Sequence, residues 1–530
     1  MKKVLISVVL SLVLVGCSER TPEINRIPLT TTSPEAERLF REVLINNEHG
    51  RSYLNANLFS QINELDPDFV FAKLFNNWPP SQEALQYVSE RSDLISDYER
   101  RFAEIITEVT KANMMGALEN TKTLIEDYPD LYELREFASL IFGYALDIEG
   151  ARVQLSKAIE LNPQSFNGHM RLAQLHFGKG VGSGTKGSEL MLPLDKRDLD
   201  YAERLLQRAQ DILPDSPEPK VALGNLYLSK GNLNEAQKIL ESGRQLFSSK
   251  KGLELGNILS ALGTVSTFKG MYDEARSYLD EASKLQTPPD TNFWGSYMPK
   301  FESLRKSILT HIFEREYGKA VVAIDTAQEI IKSDNLARGP ELYLMSELEL
   351  LNAKTLGHSL QNQESKNSLE RYQQLSIEGG FLMTGGNPDD FDLSKNQASW
   401  LIPYHTYHRI SLDIILQDFD SAREGLDLFE KNLEEWAAFD RRNTGQYKKL
   451  VGQLNLMENN LENAISAYSS INKDLLASDM YHTYFFALAQ KAVGNLEESE
   501  KMFQSIRDYY TDNLDLAFVS NLAKEQLASW

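Results

Sequence analysis

Residues 217–248, PEPKVALGNLYLSKGNLNEAQKILESGRQLFS, constrain the fold more than any other stretch. Apolar residues recur at helical spacing on both sides of Gly231-Asn232, which gives two short amphipathic helices joined by a tight turn. Leu223-Gly224-x-x-Tyr227 lies on the first helix and Ala236-x-x-x-Leu240-x-x-Gly243 on the second. Gly224 and Ala236 let the two axes approach closely, while Leu223, Tyr227, Leu233 and Leu240 fill the seam.

The pattern returns along the chain. Ala117 with Tyr128-Pro129, Ala151-x-x-x-Leu155-x-x-Ala158 with Asn162-Pro163, and Ala202-x-x-x-Leu206-x-x-Ala209 with Leu213-Pro214 each read as a second helix closed by proline. Pro129 and Pro163 lie 34 residues apart, and Pro163 and Pro214 lie 51 apart, one repeat plus an insertion of 17 between Phe177 and Leu199. Leu262-Gly263, Gly270, Tyr272, Ala275-x-x-x-Leu279-x-x-Ala282 and Pro288 give another copy, 39 residues on. Leu-Gly, Tyr, Ala and a bulky residue four further on, returning at a 34-residue step, resembles the tetratricopeptide repeat, with Lys220 in the signature's tryptophan position. The resemblance implies an all-α fold: an α-solenoid of tetratricopeptide-like helix pairs with irregular insertions.

Around this centre the chain divides into four parts. Lys2-Lys3, an apolar run from Val4 to Val15, and Leu14-Val15-Gly16-Cys17 make residues 1–16 a secretory signal, too short for a permanent membrane span. The last four residues resemble a bacterial lipobox, which implies lipidation of Cys17, the only cysteine of the chain. Ser18 stands where an inner-membrane retention signal has Asp, so the resemblance points to the outer membrane, with the protein facing the periplasm. Residues 17–33 lack helical periodicity and read as a flexible tether, ended by Ser33-Pro34-Glu35, a strong helix start. Residues 34–290 are the repeat array. Residues 291–530 continue it in degenerate form, marked by Tyr317-x-x-Ala320-x-x-x-Ile324, Phe419-x-x-Ala422, Leu461-x-x-Ala464 and Gly494-Asn495. Asn55-x-x-x-Phe59 with Leu65-Asp66-Pro67 is a divergent first repeat, and Trp78 reads as a local plug. Residues 287–299 and 379–396 interrupt the helical pattern, the first as a candidate hinge.

The formal net charge of −21 argues against nucleic acid as a partner and against anionic lipid surfaces. Gly182-x-Gly184-x-x-Gly187 matches a dinucleotide fingerprint literally, but it follows a repeat helix and not a strand, and Gly184-Thr185-Lys186 has the wrong order for a phosphate loop. It reads as an inter-helix loop. Asp389-Asp390-Phe391-Asp392 lacks the glycine and closing glutamate of a calcium loop. His405 and His408 share a helical face without a third ligand in sequence, and no HExxH or Gly-x-Ser-x-Gly occurs. No enzyme, cofactor or metal is expected.

By the resemblance, partners bind along the inner face lined by the first helix of each pair. Phase carried from Leu172, Leu223 and Leu262 places Asn167, Arg171, Gln174, Asn225, Leu228, Thr264 and Phe268 there. The expected function is a non-catalytic, lipid-anchored scaffold for protein or peptide partners of the cell envelope. A second expectation is a solute- or glycan-binding lipoprotein beside a transporter or export system, with residues 287–299 and 379–396 forming its pocket.

Overall fold

The computed structural model describes residues 25–49, 51, 54–76, 80–111, 113–177, 192–249, 252–285, 297–399, 401–440, 442–476, 479–510 and 514–529. The signal, Cys17, Trp78, the glycine-rich run at 178–187 and most of 287–299 lie outside them. The first half runs α1 (Pro34–Glu48), α2 (Asn55–Leu65), α3 (Gln82–Glu90), α4 (Asp97–Thr110), α5 (Met114–Asp127), α6 (Tyr132–Tyr144), α7 (Ile148–Leu161), α8 (Phe166–Phe177), α9 (Leu199–Ile212), α10 (Glu218–Ser229), α11 (Leu233–Phe247), α12 (Leu253–Phe268) and α13 (Tyr272–Lys284). The second runs α14 (Met298–Phe313), α15 (Tyr317–Ser333), α16 (Arg338–His358), α17 (Asn362–Met383), α18 (Leu401–Ile415), α19 (Phe419–Phe439), α20 (Arg442–Met457), α21 (Leu461–Ser469), α22 (Met480–Ala492), α23 (Leu496–Arg507) and α24 (Leu514–Ala528). No strand occurs among the described residues, and none of their helices is long and apolar enough to cross a membrane. The fold is an all-α array of antiparallel helix pairs. As the repeat arithmetic requires, α8 stops at Phe177 and its partner α9 starts at Leu199.

One turn geometry joins first to second helix in pair after pair. Leu146, Gly231, Gly270, Arg315, Leu360, Gln417, Asn459 and Gly494 all take positive φ, between 60° and 87°. The next residue's N–H then returns to a carbonyl five positions back, as in Asp147 to Phe142 (2.8 Å), Asn232 to Tyr227 (2.8 Å), Gln361 to Leu356 (3.0 Å) and Asn495 to Gln490 (2.9 Å). This closes the first helix on its orphan carbonyls. Five of these left-handed positions are not glycine, so packing of the pair imposes the turn where the residue does not favour it.

In three pairs, close approach rests on a glycine facing a large residue sixteen positions on. A Cβ placed on Gly224 would meet Leu240 Cγ at 2.8 Å, and one on Gly263 would meet Leu279 Cγ at 2.6 Å. Gly452 stands against Tyr468 in the same way, at 2.7 Å. The pair α20 and α21 in the second half therefore keeps the close approach seen in the first.

The second half closes on itself. Its first helices α14, α16, α18, α20, α22 and then α24 each pack on the next, and α24 packs back on α14. Asn521 donates to the Phe313 carbonyl, and Arg315 pairs with Glu525 at 2.7 Å. The middle of this ring is filled by side chains. His358 stacks on Phe518 with centroids 4.1 Å apart, the Tyr481 hydroxyl lies 3.4 Å from His358 Nε2, and the Tyr407 hydroxyl lies 3.1 Å from His482 Nε2. Buried Lys449 pairs with half-buried Asp479 at 2.8 Å. Burial alone would raise the Asp479 carboxyl, but the ammonium outweighs it and holds the acid well below its usual range.

Two expected boundaries move. The described part of the tether is docked: Ile27 is 5% exposed, and its N–H donates to Glu133 Oε2 at 2.9 Å. The Thr30 and Thr32 N–H groups donate to Glu99 and Asp66, both at 2.9 Å. Acceptors set on the array satisfy the extended backbone, so 25–33 needs no helix to be ordered. The irregular segment expected at 379–396 begins later, because α17 continues to Met383.

Candidate functional site

Two surfaces carry chemistry. The first lies on α6 and α8, where Asn167, Arg171 and Gln174 form one half-exposed stripe at spacings of four and three. The Arg171 guanidinium donates to the Glu136 carbonyl at 3.4 Å. Burial pulls its pKa below the ordinary arginine value. The Glu136 carboxyl is 7% exposed and accepts from the Ser165 hydroxyl. Burial, with Glu48 nearby, pushes it up to about 8. Glu48 is itself raised by burial while accepting from the Phe166 N–H at 3.1 Å. Glu133 is raised for the same reason, and Arg26 pairs with it at 3.4 Å. This is an acid-rich inner patch, partly neutralised by protons and partly by arginines, Arg26 coming from the chain's own N-terminal segment. Asn225 is half-exposed one repeat further on.

The remaining inner-face residues are taken up inside the protein. Leu228 is 2% exposed within the core of α11 and α12. Thr264 is buried, and its hydroxyl returns to the Ser260 carbonyl at 3.2 Å. Phe268 packs edge-on against Phe313 (5.7 Å) and Tyr510 (5.4 Å). The C-terminal part of the chain covers this part of the face: Tyr510 reaches the 231 turn as well, 3.6 Å from a Cβ placed on Gly231.

The second surface is a cleft of about 390 Å³ between α17, α18 and the segment that joins them. Glu370, Gln373, Gln374 and Ile377 give α17 one stripe at helical spacing. Ile402, His405, Thr406 and Arg409 repeat that spacing on α18. Leu393, within 379–396, and Gln397, just past it, supply the third wall. His405 is buried, and burial pushes its imidazole down to about 4, so the ring is neutral. The Ser376 hydroxyl donates to the Gln373 carbonyl at 3.0 Å, so it accepts from His405 Nε2 at 2.9 Å. His405 Nδ1 is then the acceptor for the Gln397 amide at 3.3 Å. This leaves the Gln397 carbonyl oxygen without a donor among the described residues. The cleft itself is missed by motif reasoning, although its two four-residue stripes stand in the sequence; the loop between them hides their pairing.

His311, Glu314 and Glu316 bring potential ligand atoms within 4.8 Å of one another. Arg276 holds Glu314 and Lys319 holds Glu316 at 2.8 Å, so the trio is read as an ion-pair network. Asp392, in the acidic run, accepts from the Ser394 N–H and hydroxyl (3.0 and 2.7 Å) and pairs with Lys395 at 2.6 Å, as a turn carboxylate does.

The geometry defines a helical-repeat protein. Residues 194–247, spanning α9 to α11, match the tetratricopeptide repeat family. No curated protein matches the chain. Among solved structures, a tetratricopeptide repeat protein from Parabacteroides merdae is similar at 14% identity, over 52% of this chain and 98% of that one, with a TM-score of 0.32. The apo form of RapI is similar at 11% identity, over 82% of this chain and 99% of that one, with a TM-score of 0.35. Neither superposition is close enough to bear on site geometry.

Proposed function

We propose that the chain is a non-catalytic scaffold for protein partners, held by lipid on Cys17 at the periplasmic face of a bacterial outer membrane. The observation that carries the scaffold reading is that the array already grips an extended peptide, its own residues 26–32. Acids on successive elements (Asp66, Glu99 and Glu133) accept from the main chain of that segment. Contacts to the main chain hold a segment whatever its side chains are, so the same kind of acceptor suits an extended partner. With Asn25 the first described residue, eight residues of chain from Cys17 reach at most about 28 Å. Labelling with radioactive palmitate is expected to mark the chain and to be lost in Cys17→Ser. Crosslinking of intact envelopes is expected to recover the same defined partner in repeat experiments. Labelling that survives Cys17→Ser sinks the anchor, and crosslinked chain recovered alone sinks the scaffold.

A second reading, solute binding, is favoured by one specific observation: the cleft of α17 and α18 is lined by three glutamines and a neutral histidine. Such groups orient a small polar ligand at little desolvation cost. A thermal-shift panel of small solutes tests it, and a flat response across the panel refutes it.

A further inference from the structure

The cleft between α17 and α18 has a definite polarity from end to end. Ser376 on α17 meets His405 on α18 at 2.9 Å, and the Tyr372 ring meets the His408 ring at 6.0 Å. These contacts set the helices antiparallel, with position 376 beside 405 and 372 beside 408. The same register places Glu370 level with Arg409 at one end, and Ile377 level with Ile402 at the other, where Leu393 joins them. Neutral polar groups lie between: Gln373, Thr406 and the His405–Gln397 pair.

Many exposed acids and bases of this chain pair along a helix, as Arg38 does with Glu35 and Lys501 with Glu497. Among the described residues neither Glu370 nor Arg409 makes an ion pair, although they line one cleft from facing helices. An acid and a base held apart at the same level suit a ligand that carries both opposite charges on neighbouring atoms. The apolar end suits a hydrocarbon side chain attached to that head. At about 390 Å³ the space is at the small end of ligand pockets, which favours a single residue over a folded or polymeric partner.

We propose that this cleft binds a free α-amino acid with a large apolar side chain, its ammonium toward Glu370 and its carboxylate toward Arg409. Ile377, Leu393 and Ile402 take the side chain, and the free carbonyl oxygen of Gln397 adds an acceptor for an ammonium hydrogen. The inference rests on the solute-binding reading and is independent of the scaffold.

Isothermal titration of the full chain with L-phenylalanine tests it. 3-Phenylpropionate lacks the ammonium and phenethylamine lacks the carboxylate, so each removes one charge in turn. Saturable binding of L-phenylalanine is expected, weakened about tenfold for either analogue, because one charge-assisted contact is lost. Arg409→Gln is expected to weaken L-phenylalanine by about tenfold while leaving phenethylamine unchanged, and Glu370→Gln to do the reverse with 3-phenylpropionate. Both positions are exposed, and unchanged thermal melts verify that the variants fold. No saturable binding at millimolar ligand, equal binding of all three compounds, or insensitivity to both variants overturns the proposal. If a glucose or maltose titration saturates where L-phenylalanine does not, the amino-acid assignment fails and solute binding stands. If none of these solutes binds, both fall, and crosslinking still decides the scaffold.

Discussion

The contact between Gly224 and Leu240 is a direct test of why these helices pair as they do. Leu240 is fully buried, so Leu240→Ala removes its core contacts and leaves a cavity, at a cost of about 2–5 kcal/mol. Gly224→Ala puts a methyl where Leu240 carbons lie 2.8 to 3.0 Å away. Overpacking of that kind costs about 1–3 kcal/mol, against which the better helix propensity of alanine returns up to about 1 kcal/mol. The double variant is the informative one. Truncating Leu240 empties the space that the new methyl enters, so the two changes should offset by at least about 1 kcal/mol, a coupling typical of residues in contact. Urea unfolding followed by circular dichroism on all four proteins reads the cycle, using the transition that Leu240→Ala moves. Additivity to within about 0.5 kcal/mol would refute the close-approach argument.

Further outcomes follow from the same structure. Glu136 has its folded value raised to about 8, so the fold keeps a proton that the unfolded chain loses. Its contribution is fully present below the usual carboxylate value and is lost as pH rises toward 8; Glu136→Gln should flatten the fall in melting temperature between about pH 5 and 8, and an unchanged slope contradicts this. Asp479 behaves oppositely: its folded value is depressed, so its stabilisation is present above the usual carboxylate value and lost in acid. Lys449→Met should cost about 3–5 kcal/mol by stranding that carboxylate, as measured by denaturant midpoint. Phe518→Ala should cost about 3–5 kcal/mol and loosen hydrogen exchange in α14 as well as α24, since the ring closes there; protection lost in α24 alone would argue against closure. Ile27→Asp should open residues 25–33 to limited proteolysis while the helices keep their circular dichroism, and an unaltered cleavage pattern would speak against docking.

How much of this was legible in the sequence depends on the range of the interaction. The central helix pair was readable because Gly224, Gly231 and Leu240 each carry a local signal, and the spacing between prolines extended it to both neighbours. The second half was harder to read because Leu360, Gln417 and Asn459 make the turn that Gly231 makes, without the residue that advertises it. Phase alone places Leu228, Thr264 and Phe268 on first helices, but it does not show what covers them: α11 and α12 enclose Leu228, the Thr264 hydroxyl bonds within its own helix, and α14 and Tyr510 pack on Phe268. Likewise nothing local in residues 25–33 indicates docking, because its acceptors, Glu99 and Glu133, lie some seventy to a hundred positions away. The cleft required knowing that 370–377 and 402–409 run antiparallel, which the loop between them conceals.

The central claim is that the inner face of this array holds a partner. Photo-crosslinking in intact cells tests it most directly, with the crosslinker at Gln174, half-exposed on α8, and at exposed Lys238 on the opposite helix of a neighbouring pair as control. The account predicts one discrete adduct from Gln174, weakened by Arg171→Ala and absent from Lys238. Equal adducts at both positions, or none at Gln174 in envelopes where the chain is present, would contradict it.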